Sequence, residues 1–417
     1  MANKKVIIVR NSESLPTDIN GGRLWRTGLL AKHLSLKNYD LTWVCSSFDH
    51  YNGLNRSSVG EFEELPELRK SLVLLKTPGY SKNSSPLRFI DHLVFAVKLF
   101  FFLRKHKDVG VIFCSYPTPD SSITCLLISK LYDIPLILDI RDMWPDVFIE
   151  KASGIKKHLM QLGFSLYYFM RNICFRYADA LFAVNSNFLD WARTIGKRTS
   201  NMDRVHYIPF EKPSLSLTDR NEASRLFSSR FFKNKDINIA FGGTVGYMFN
   251  FKPLAKALKR LKGQYNVNVF ICGKGACLEQ TKELFSEHKG VIFTNLINSK
   301  VLFALYEKVD ILFAPYEMLD NFDGHLPNKF MEYCASEKPI LTSLNGEARA
   351  LLKDYGAGYC YDNETDILNA LDDFFENPKL TETMGKGASA IYEKLFHSHK
   401  ILHEMESDIL NIMKSEK

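Results

Sequence analysis

Residues 309–343 decide the fold class and read VDILFAPYEMLDNFDGHLPNKFMEYCASEKPILTS. The opening run Val309–Pro315 is short and apolar, as in a strand that is buried on both faces. Pro327 stands where a helix begins, and Lys329–Ala335 has helical spacing. A second apolar run begins at Ile340. This order of strand, loop, helix and strand predicts an α/β fold with a parallel sheet.

The helix that begins near Pro327 is a candidate anion-binding element. Its N-terminus should lie at the carboxyl end of the strands, where open α/β sheets bind ligands. The unpaired N–H groups and partial positive charge of a helix N-terminus suit a diphosphate, and Lys329 adds a full positive charge. Glu332 shares a helix face with Lys329 and could accept two hydrogen bonds from a ribose diol. An ordinary capped helix with a solvated Lys329–Glu332 ion pair is the alternative interpretation.

The run PNKFMEYCASEKP at 327–339 resembles the P-x-K-x-x-E-Y-x-A-x-x-K-P donor-site signature of family-4 glycosyltransferases. The most similar type is the bacterial subgroup that builds surface polysaccharides and includes fucosaminyltransferase-like proteins. The resemblance implies a GT-B fold, in which two Rossmann-like doubly wound domains face an interdomain cleft. It also implies retaining transfer of a sugar from a nucleotide-sugar donor, with UDP-sugars favoured. No cofactor and no divalent metal are expected.

The family pattern assigns roles around this helix. There the Glu corresponding to Glu332 binds the ribose, and a catalytic role is implied for Glu332 and for Lys329. The preceding turn binds the diphosphate, which implies binding roles for His325, Leu326, Pro327 and Asn328. Many members carry a second Glu eight positions before the first. This chain has Gly324 there, beside Asp323.

The composition is that of a soluble globular protein with more than one domain. A chain of 417 residues is too long for one ordinary core. The eight cysteines include no CxxC pair or zinc spacing, which indicates reduced cysteines in a cytosolic protein. We expect no signal peptide, because the first apolar run is too short for one. The apolar stretch Leu93–Leu103 is also shorter than the ~20 residues that span a bilayer.

The net charge of +7 indicates a negatively charged partner. Nucleic acid, anionic lipid and phosphate-bearing substrates all qualify. A Lys/Arg stripe or a recognised nucleic-acid module is not visible, so nucleic-acid binding is not expected. The oligomeric state is left open.

The N-terminal segment predicts the start of a doubly wound domain. Val6–Val9 is a buried strand, a helix runs from about residue 23 to 34, and Leu41–Cys45 is the next strand. The segment GGRLWRTGLLAKHL resembles the family's GG…R…LA..L pattern, in which glycines let the backbone approach the donor phosphates. That resemblance implies binding roles for Gly21 and Gly22, and a plain tight turn is the alternative.

The segment DIRDMWP at 139–145 resembles the D-x-R-D-x-W-P element of the same subgroup. It follows the predicted strand Pro135–Ile140 and should lie at that strand's carboxyl end. Arg141 or Asp142 would contact the transferred sugar or the acceptor hydroxyl, and Asp142 is the candidate catalytic residue. A buried Arg–Asp pair with a packing Trp is the alternative.

Two segments, Pro86–Lys107 and Ile155–Arg176, are apolar, aromatic and edged by basic residues. Such helices can lie in a membrane interface with their bases toward anionic headgroups. In similar enzymes the N-terminal half handles the lipid-linked acceptor. We therefore expect a cytoplasmic protein attached peripherally to the inner face of the plasma membrane. Two core-facing helices with snorkelling basic side chains are the alternative.

The second half repeats the strand, Gly-rich turn and helix order. A polar stretch at 211–225 predicts the linker, with domains at 1–210 and 211–395 and a last helix, about 396–417, packing on the first domain. Similar enzymes bind the nucleotide with the turns after the strands Ile237–Phe241 and Val267–Cys272. The residues implied in binding there are Gly243, Thr244, Gly246, Lys252, Gly273 and Lys274. Lys252 and Lys274 are included because Tyr247 occupies a position where the family often has Arg or Lys.

The expected reaction is transfer to a lipid-linked glycan acceptor in capsule, O-antigen or exopolysaccharide synthesis. A nucleotide-sugar 2-epimerase is one alternative, although such an enzyme needs carboxylates converging on the sugar. A catalytically silent nucleotide-binding protein is another, since the first Glu and the Arg are missing.

Overall fold

The computed structural model describes residues 5–415, except 17, 19–22, 51, 57–65, 82–84, 150–152, 229–230, 234–235, 262, 264 and 318–325. The chain forms two compact units. Unit 1 comprises Met1–Pro209 and Ser398–Lys417, and unit 2 comprises Phe210–His397. The sequence-based boundary was after residue 210, with the last helix assigned to the first domain.

Unit 1 alternates strands and helices along the chain. Its strands are β1 Lys5–Arg10, β2 Asp40–Ser46, β3 Phe48–Asp49, β4 Leu54–Asn55, β5 Leu72–Leu75, β6 Val111–Tyr116, β7 Leu136–Ile140, β8 Ala180–Ala183 and β9 Arg204–Val205. Its helices are α1 Arg26–Leu36, α2 Pro66–Ser71, α3 Pro86–Leu103, α4 Pro119–Tyr132, α5 Asp146–Ile149, α6 Gly154–Gly163, α7 Ser165–Tyr177, α8 Ser186–Gly196 and, from the end of the chain, α17 Ser398–Lys414.

The seven-stranded sheet of unit 1 has the order β5-β2-β1-β6-β7-β8-β9, with every neighbouring pair parallel. Strands β1 and β6 are buried along nearly their whole length because helices cover both faces of the sheet. On one face, Met405 and Ile409 of α17 pack with Val6 and Ile8 of β1. The strand order reverses between β1 and β6, which makes their carboxyl ends the switch point of this sheet.

Unit 2 has the same architecture. Its strands are β10 Ile237–Gly242, β11 Val267–Cys272, β12 Val291–Thr294, β13 Ile311–Ala314, β14 Ile340–Thr342 and β15 Gly358–Cys360. Its helices are α9 Leu217–Leu226, α10 Lys252–Arg260, α11 Leu278–Leu284, α12 Ser299–Tyr306, α13 Asn328–Ala335, α14 Gly346–Tyr355, α15 Glu364–Glu376 and α16 Lys379–Ile391, which continues as a π-helical turn Tyr392–Phe396.

The six-stranded sheet of unit 2 has the order β12-β11-β10-β13-β14-β15, again all parallel. Its switch point therefore lies between β10 and β13, the strands that precede the glycine loop and helix α13. The predicted fold class, two Rossmann-like doubly wound units, is confirmed by these two sheets.

Two segments differ in local structure from the sequence-based expectation. The polar stretch 211–225, predicted as the interdomain linker, is partly helical, because α9 begins at Leu217. Ser216 and Asp219 form a capping box that starts this helix. The second is the segment 155–176, which is two helices, α6 and α7, separated at Phe164.

Candidate functional site

The glycine turns after β10 and β11 are packed backbone against backbone. The Gly243 amide donates to Cys272 O at 2.8 Å, and the Val245 amide donates to Lys274 O at 3.0 Å. A Cβ at Gly273 would collide with the Gly243 carbonyl oxygen, so a side chain cannot be accommodated there. The sequence has glycines in these turns because this close approach requires them.

Helix α13 directs its first turn toward the glycine turn after β10. It begins at Asn328 after Pro327, whose side chain makes no capping bond, and the Phe330 amide donates to Pro327 O at 2.9 Å. The Lys329 Nζ reaches across the sheet edge and donates to Gly242 O. A Cβ at Gly243, which has φ +129°, would collide with this same ammonium.

Two aromatic rings surround the Lys329 ammonium. Its Nζ lies 4.6 Å from the centre of the Phe241 ring and 5.5 Å from that of Phe249. Burial lowers the pKa of Lys329 below its usual value, and the nearby Glu332 carboxylate opposes that shift. Cation–π attraction and the Gly242 carbonyl keep this partly buried charge in place. The prediction from sequence missed both phenylalanines, because only the fold brings them to Lys329.

Glu332 lies one turn beyond Lys329 and is partly buried. It is close enough to influence the pKa values of Lys329, Tyr306 and Tyr316. Its backbone carbonyl accepts from the Ser336 amide at 3.1 Å and from the Ser336 hydroxyl at 2.8 Å. The structure therefore brings Lys329 and Glu332 to one face at the start of α13.

The loop after β10 and the segment after β13 form a second contact at this edge. The Asn250 amide donates to Pro315 O at 2.7 Å, and the Glu317 amide donates to Met248 O at 2.8 Å. The rings of Phe249 and Tyr316 are 4.9 Å apart. These bonds fix the loop 246–250 beside the switch point, which is where the sequence predicted nucleotide contacts.

The other predicted binding residues of unit 2 differ in exposure. Thr244, Lys274 and Asn328 are exposed, Gly246 and Pro327 are partly exposed, and Leu326 and Gly273 are buried. Lys252 is exposed at the first position of α10, where its amide donates to Asn250 Oδ1 at 3.1 Å.

In unit 1, Arg141 and Asp142 follow directly after β7 and are partly buried. The Arg141 Nη1 donates to Thr27 Oγ1 at 2.9 Å, and its amide donates to Tyr116 O at 3.0 Å. Burial lowers the pKa of Arg141 to about 10, with repulsion from Arg10 contributing. Asp142 Oδ1 accepts from the Met143 amide at 2.8 Å.

The first and last parts of the DIRDMWP segment have packing roles. The Asp139 carboxylate is fully buried and accepts from Arg26 Nε at 3.0 Å and Nη2 at 2.7 Å. Trp144 is buried against Phe148. Asp139 and Trp144 thus have packing contacts, although the arginine paired with Asp139 is Arg26 and not Arg141. Arg141 and Asp142 lie at the carboxyl edge of the sheet.

Gly21, Gly22 and His325 lie outside the described residues, as do Asp323 and Gly324. Within the parts of the chain that the structure describes, no group of three or more His, Cys, Asp or Glu residues could hold a metal ion. No described helix is both long enough and apolar enough to cross a membrane.

The sequence of unit 2 matches a known family model over most of its length. Residues 223–390 match the model of the family "Glycosyl transferases group 1". No curated protein matches the chain.

Solved structures resemble nearly the whole chain. HepE of Anabaena in complex with UDP superposes with a TM-score of 0.67 at 13% identity, covering 98% of this chain and 100% of that one. Sucrose-phosphate synthase from Thermosynechococcus elongatus gives 0.66 at 13% identity, with 99% of each chain covered. WaaG, a glycosyltransferase involved in lipopolysaccharide biosynthesis, gives 0.62 at 11% identity, with 97% and 99% covered. At these identities the superpositions show that the chain has the GT-B fold.

The family match covers most of unit 2, including β10, the glycine turns and α13. This match within unit 2, together with the GT-B fold of the whole chain, identifies the protein as a glycosyltransferase.

Proposed function

We propose that the protein is a retaining glycosyltransferase that moves a sugar from a UDP-sugar to a lipid-linked glycan acceptor in bacterial surface-polysaccharide synthesis. The observation that carries the proposal is the position of Lys329, at the start of α13 and against the glycine turn after β10. Amide groups at a helix N-terminus, a glycine turn and an ammonium together favour a diphosphate.

Lys329 has the donors that such a role requires. An ammonium has three N–H donors, and one of them is used by Gly242 O. The remaining donors can reach phosphate oxygens, and a phosphate would relieve the cost of burying the charge. Preorganised positive groups of this kind stabilise the negative charge that develops on a leaving diphosphate.

Glu332 is the proposed ribose ligand. It stands on the same helix face as Lys329, one turn further from the phosphate end, which suits the order of groups in a nucleotide. A carboxylate can accept one hydrogen bond from each hydroxyl of a diol. UDP is favoured as the nucleotide because HepE, whose structure is similar, was solved with UDP.

The proposed transfer step is as follows. The bond from the anomeric carbon to the diphosphate oxygen breaks, and UDP leaves with the electron pair. The acceptor oxygen forms a bond to the same face of that carbon. The acceptor's hydroxyl proton passes to an oxygen of the leaving phosphate, and Asp142 is the candidate for a contact with the reacting sugar or the acceptor hydroxyl. No divalent metal enters this proposal.

A lipid-linked acceptor and an anionic membrane are supported by the surface of unit 1. Helix α6 has no buried residue, and Ile155, Leu159 and Leu162, which share one of its faces, are 80%, 64% and 73% exposed. Further exposed apolar side chains lie on α7, which contacts α6, on α4, which packs on α7, and on α3, which packs on α4. They are Ile90, Leu93, Val97 and Phe101 of α3, Leu127 and Leu131 of α4, and Leu166 and Phe169 of α7. We call these residues, together with those of α6, the apolar face.

The charges around the apolar face favour anionic headgroups. Helices α3, α6 and α7 contain one acidic residue, Asp91, which is buried and accepts from the Gly79 amide at 2.7 Å. Exposed basic side chains flank the apolar face at Lys98, Arg104, Lys105, Lys107, Lys156, Lys157 and Arg176. An apolar surface rimmed by bases matches the interface of an anionic bilayer.

Thermal-shift measurements with nucleotides and nucleotide sugars test the donor assignment. A ligand at 100 times its dissociation constant stabilises the folded protein by about 2.7 kcal/mol, which raises the melting temperature measurably. We expect UDP and at least one UDP-sugar to stabilise the protein more than GDP or GDP-sugars. Equal melting temperatures with and without every nucleotide would contradict the proposal.

Substitutions test the proposed roles of Lys329 and Glu332 in catalysis. Lys329→Ala and Glu332→Ala should each lower turnover roughly tenfold or more, as expected when a phosphate-stabilising group is lost. Lys353→Ala, on α14 of the same unit, is the matched control and should keep its activity.

The anomeric configuration of the product, determined by NMR, tests whether the transfer retains the configuration of the donor sugar. Release of an epimerised sugar without acceptor would instead favour the epimerase alternative.

A further inference from the structure

Strands β10 and β13 separate at the switch point of unit 2. The structure describes every residue of both strands, and their register runs only as far as Ala240 opposite Leu312. On its other edge β10 stays paired with β11 up to Gly242, and β13 stays paired with β14 up to Ala314. The backbone groups between the two strand ends therefore need partners from elsewhere in the fold.

Helix α13 supplies partners for Gly242 on the β13 side of its strand. The Gly243 amide donates to Cys272 O of β11, so the amide and the carbonyl of the preceding residue point the other way, toward β13. There the Gly242 carbonyl accepts from Lys329 Nζ. Burial raises the pKa of the Tyr333 hydroxyl, and a hydrogen bond from the Gly242 backbone opposes that shift. Lys329 and Tyr333 share one face of α13, so this face holds both polar groups of Gly242.

The Tyr333 hydroxyl bridges the ends of the two strands. It donates to Phe313 O of β13 at 3.1 Å. Its oxygen is free to accept from the Gly242 amide, because a hydroxyl both donates and accepts. The Tyr333 side chain is fully buried. One hydroxyl thus connects two strand ends that are not paired with each other.

Tyr306 of α12 packs against the same strand end. Its ring contacts that of Tyr333 edge-on, with ring centres 5.6 Å apart and an interplanar angle of 87°. A Cβ at Gly242 would collide with the Tyr306 hydroxyl oxygen. Tyr306 is also fully buried, so both rings are held in place by the core. Gly242 therefore lies between the two tyrosine hydroxyls on one side and the Lys329 ammonium on the other.

The position of Gly242 determines where the Lys329 ammonium lies. The Gly242 carbonyl accepts from that ammonium, and two aromatic rings surround it. Without the Tyr333 hydroxyl, the Gly242 amide and the Phe313 carbonyl would lose a buried hydrogen-bond partner, which is unfavourable. The strand ends would then move together or admit water, and the Gly242 carbonyl would move with them.

We propose that Tyr333 is a positioning residue, whose hydroxyl holds the end of β10 so that Gly242 places the Lys329 ammonium at the diphosphate site. Tyr333 acts through Gly242 and Lys329 and does not itself contact the nucleotide. The consequence for UDP binding rests on the proposed function. The consequence for the position of Lys329 in the free protein does not depend on it.

NMR of the free protein with carbon-13-labelled lysine tests the position of Lys329. Its ε-methylene signal, assigned by its absence in Lys329→Met, should be displaced from those of exposed lysines by the two rings around it. In Tyr333→Phe the signal should move toward those of the exposed lysines. Tyr265→Phe is the matched control and should leave the signal in place, because the buried Tyr265 hydroxyl donates to Asp372 Oδ1 at 2.7 Å elsewhere in unit 2.

Calorimetric titration of UDP on the same proteins tests the consequence for binding. UDP affinity should fall roughly tenfold in Tyr333→Phe, because a charge-assisted hydrogen bond to the diphosphate is misplaced, and should stay unchanged in Tyr265→Phe. Uridine affinity should be the same in all of them. The double variant Tyr333→Phe/Lys329→Met should bind UDP as Lys329→Met does, because Tyr333 then has no ammonium to position.

Tyr306→Phe is a second variant, which keeps the test possible if Tyr333→Phe does not fold. It removes the hydroxyl that lies against Gly242 and retains the ring that packs on Tyr333. The Lys329 signal should move in the same direction, with a smaller loss of UDP affinity.

Three results would overturn the proposal: the Lys329 signal stays in place in the folded tyrosine variants, UDP binds Tyr333→Phe as tightly as the wild type, or the losses add in the double variant. A signal that moves in Tyr333→Phe, in a protein that binds no UDP, would remove the donor assignment and keep the positioning role. UDP binding that requires Lys329, with an unmoved signal in Tyr333→Phe, would do the reverse.

Discussion

Lys329 is a lysine whose charge is partly removed from water and stabilised by local groups. Local sequence was sufficient to identify it, because its helix position and its spacing from Glu332 are encoded within one turn. Phe241, Phe249 and Gly242, which surround its ammonium, come from a strand and loop far away in sequence. The sequence was therefore enough to choose Lys329 as a candidate binding residue, whereas the groups around its ammonium could be identified only from the folded structure.

This environment predicts a pH dependence of nucleotide binding. The lowered pKa means that Lys329 loses its proton below the usual value of 10.5, so UDP affinity should fall as the pH rises from 7.5 toward 10. Loss of one charge-assisted bond corresponds to a decrease of roughly tenfold. Calorimetric titration of UDP at several pH values measures this.

In Lys329→Arg the guanidinium stays protonated, so the affinity for UDP should vary much less over the same range. Uridine, which has no phosphate, is the ligand control. An affinity for UDP that falls equally in the wild type and in Lys329→Arg would argue against Lys329 as the titrating group.

His92 predicts a second pH effect, on stability. It lies on α3, is 1% exposed, and its two ring nitrogens have no hydrogen-bond partner among the described residues. Burial lowers its pKa to about 3, with Arg88 and His50 contributing, whereas the unfolded chain has the ordinary value of 6.5. The unfolded state therefore binds the extra proton between these values, and stability falls as the pH decreases below about 6.5.

At pH 5 the loss caused by His92 should be roughly 2 kcal/mol. Urea unfolding of the wild type and His92→Phe at pH 7 and pH 5 measures it. The other histidines titrate in both proteins, so they cancel in the difference. An equal loss of stability in both proteins would show that His92 is not neutral in the fold.

At the scale of elements, periodicity predicted most strands and helices but not the faces that they bury. The buried strands β10, β11 and β13 and the helix α13 could be recognised from short apolar runs and helix-start residues. The polar composition of α9 concealed a helix because its capping box and its packing against α12 compensate for few apolar residues. Sequence could not decide whether α6 faces a core, since its apolar stripe fits either environment.

The exposed stripe of α6 makes a membrane prediction. Leu159→Glu places a charge in the middle of the apolar face, and burying a leucine is worth about 1.5–3 kcal/mol, so vesicle binding should fall roughly tenfold or more. Leu217→Glu, the same change at an exposed leucine of α9 in unit 2, is the control. Flotation with vesicles of phosphatidylglycerol and phosphatidylcholine at low salt measures the binding.

Wild-type protein that remains unbound under these conditions would contradict membrane attachment through the apolar face. Equal vesicle binding by Leu159→Glu and Leu217→Glu would contradict the assignment of the membrane contact to α6. Vesicles of phosphatidylcholine alone should bind less, because the basic residues then have no anionic headgroups.

At the scale of the whole molecule, two doubly wound sheets were predictable because the strand–turn–helix order occurs twice along the chain. The chain passes from unit 1 to unit 2 after Pro209 and returns at Ser398 to place α17 on unit 1. The contact of Arg141 with Thr27 was not predictable. These residues are distant in sequence, and only the fold of unit 1 brings the end of β7 to α1.

The diphosphate site at α13 is the central claim, and a calorimetric comparison of UDP binding to the wild type, Lys329→Met and Lys252→Met tests it most directly. Lys252 is an exposed lysine on α10 of the same unit and was also predicted to bind substrate. We expect UDP to bind Lys329→Met at least roughly tenfold more weakly than the wild type, with a smaller effect in Lys252→Met and no change for uridine. Unchanged UDP affinity in a folded Lys329→Met protein would contradict the account.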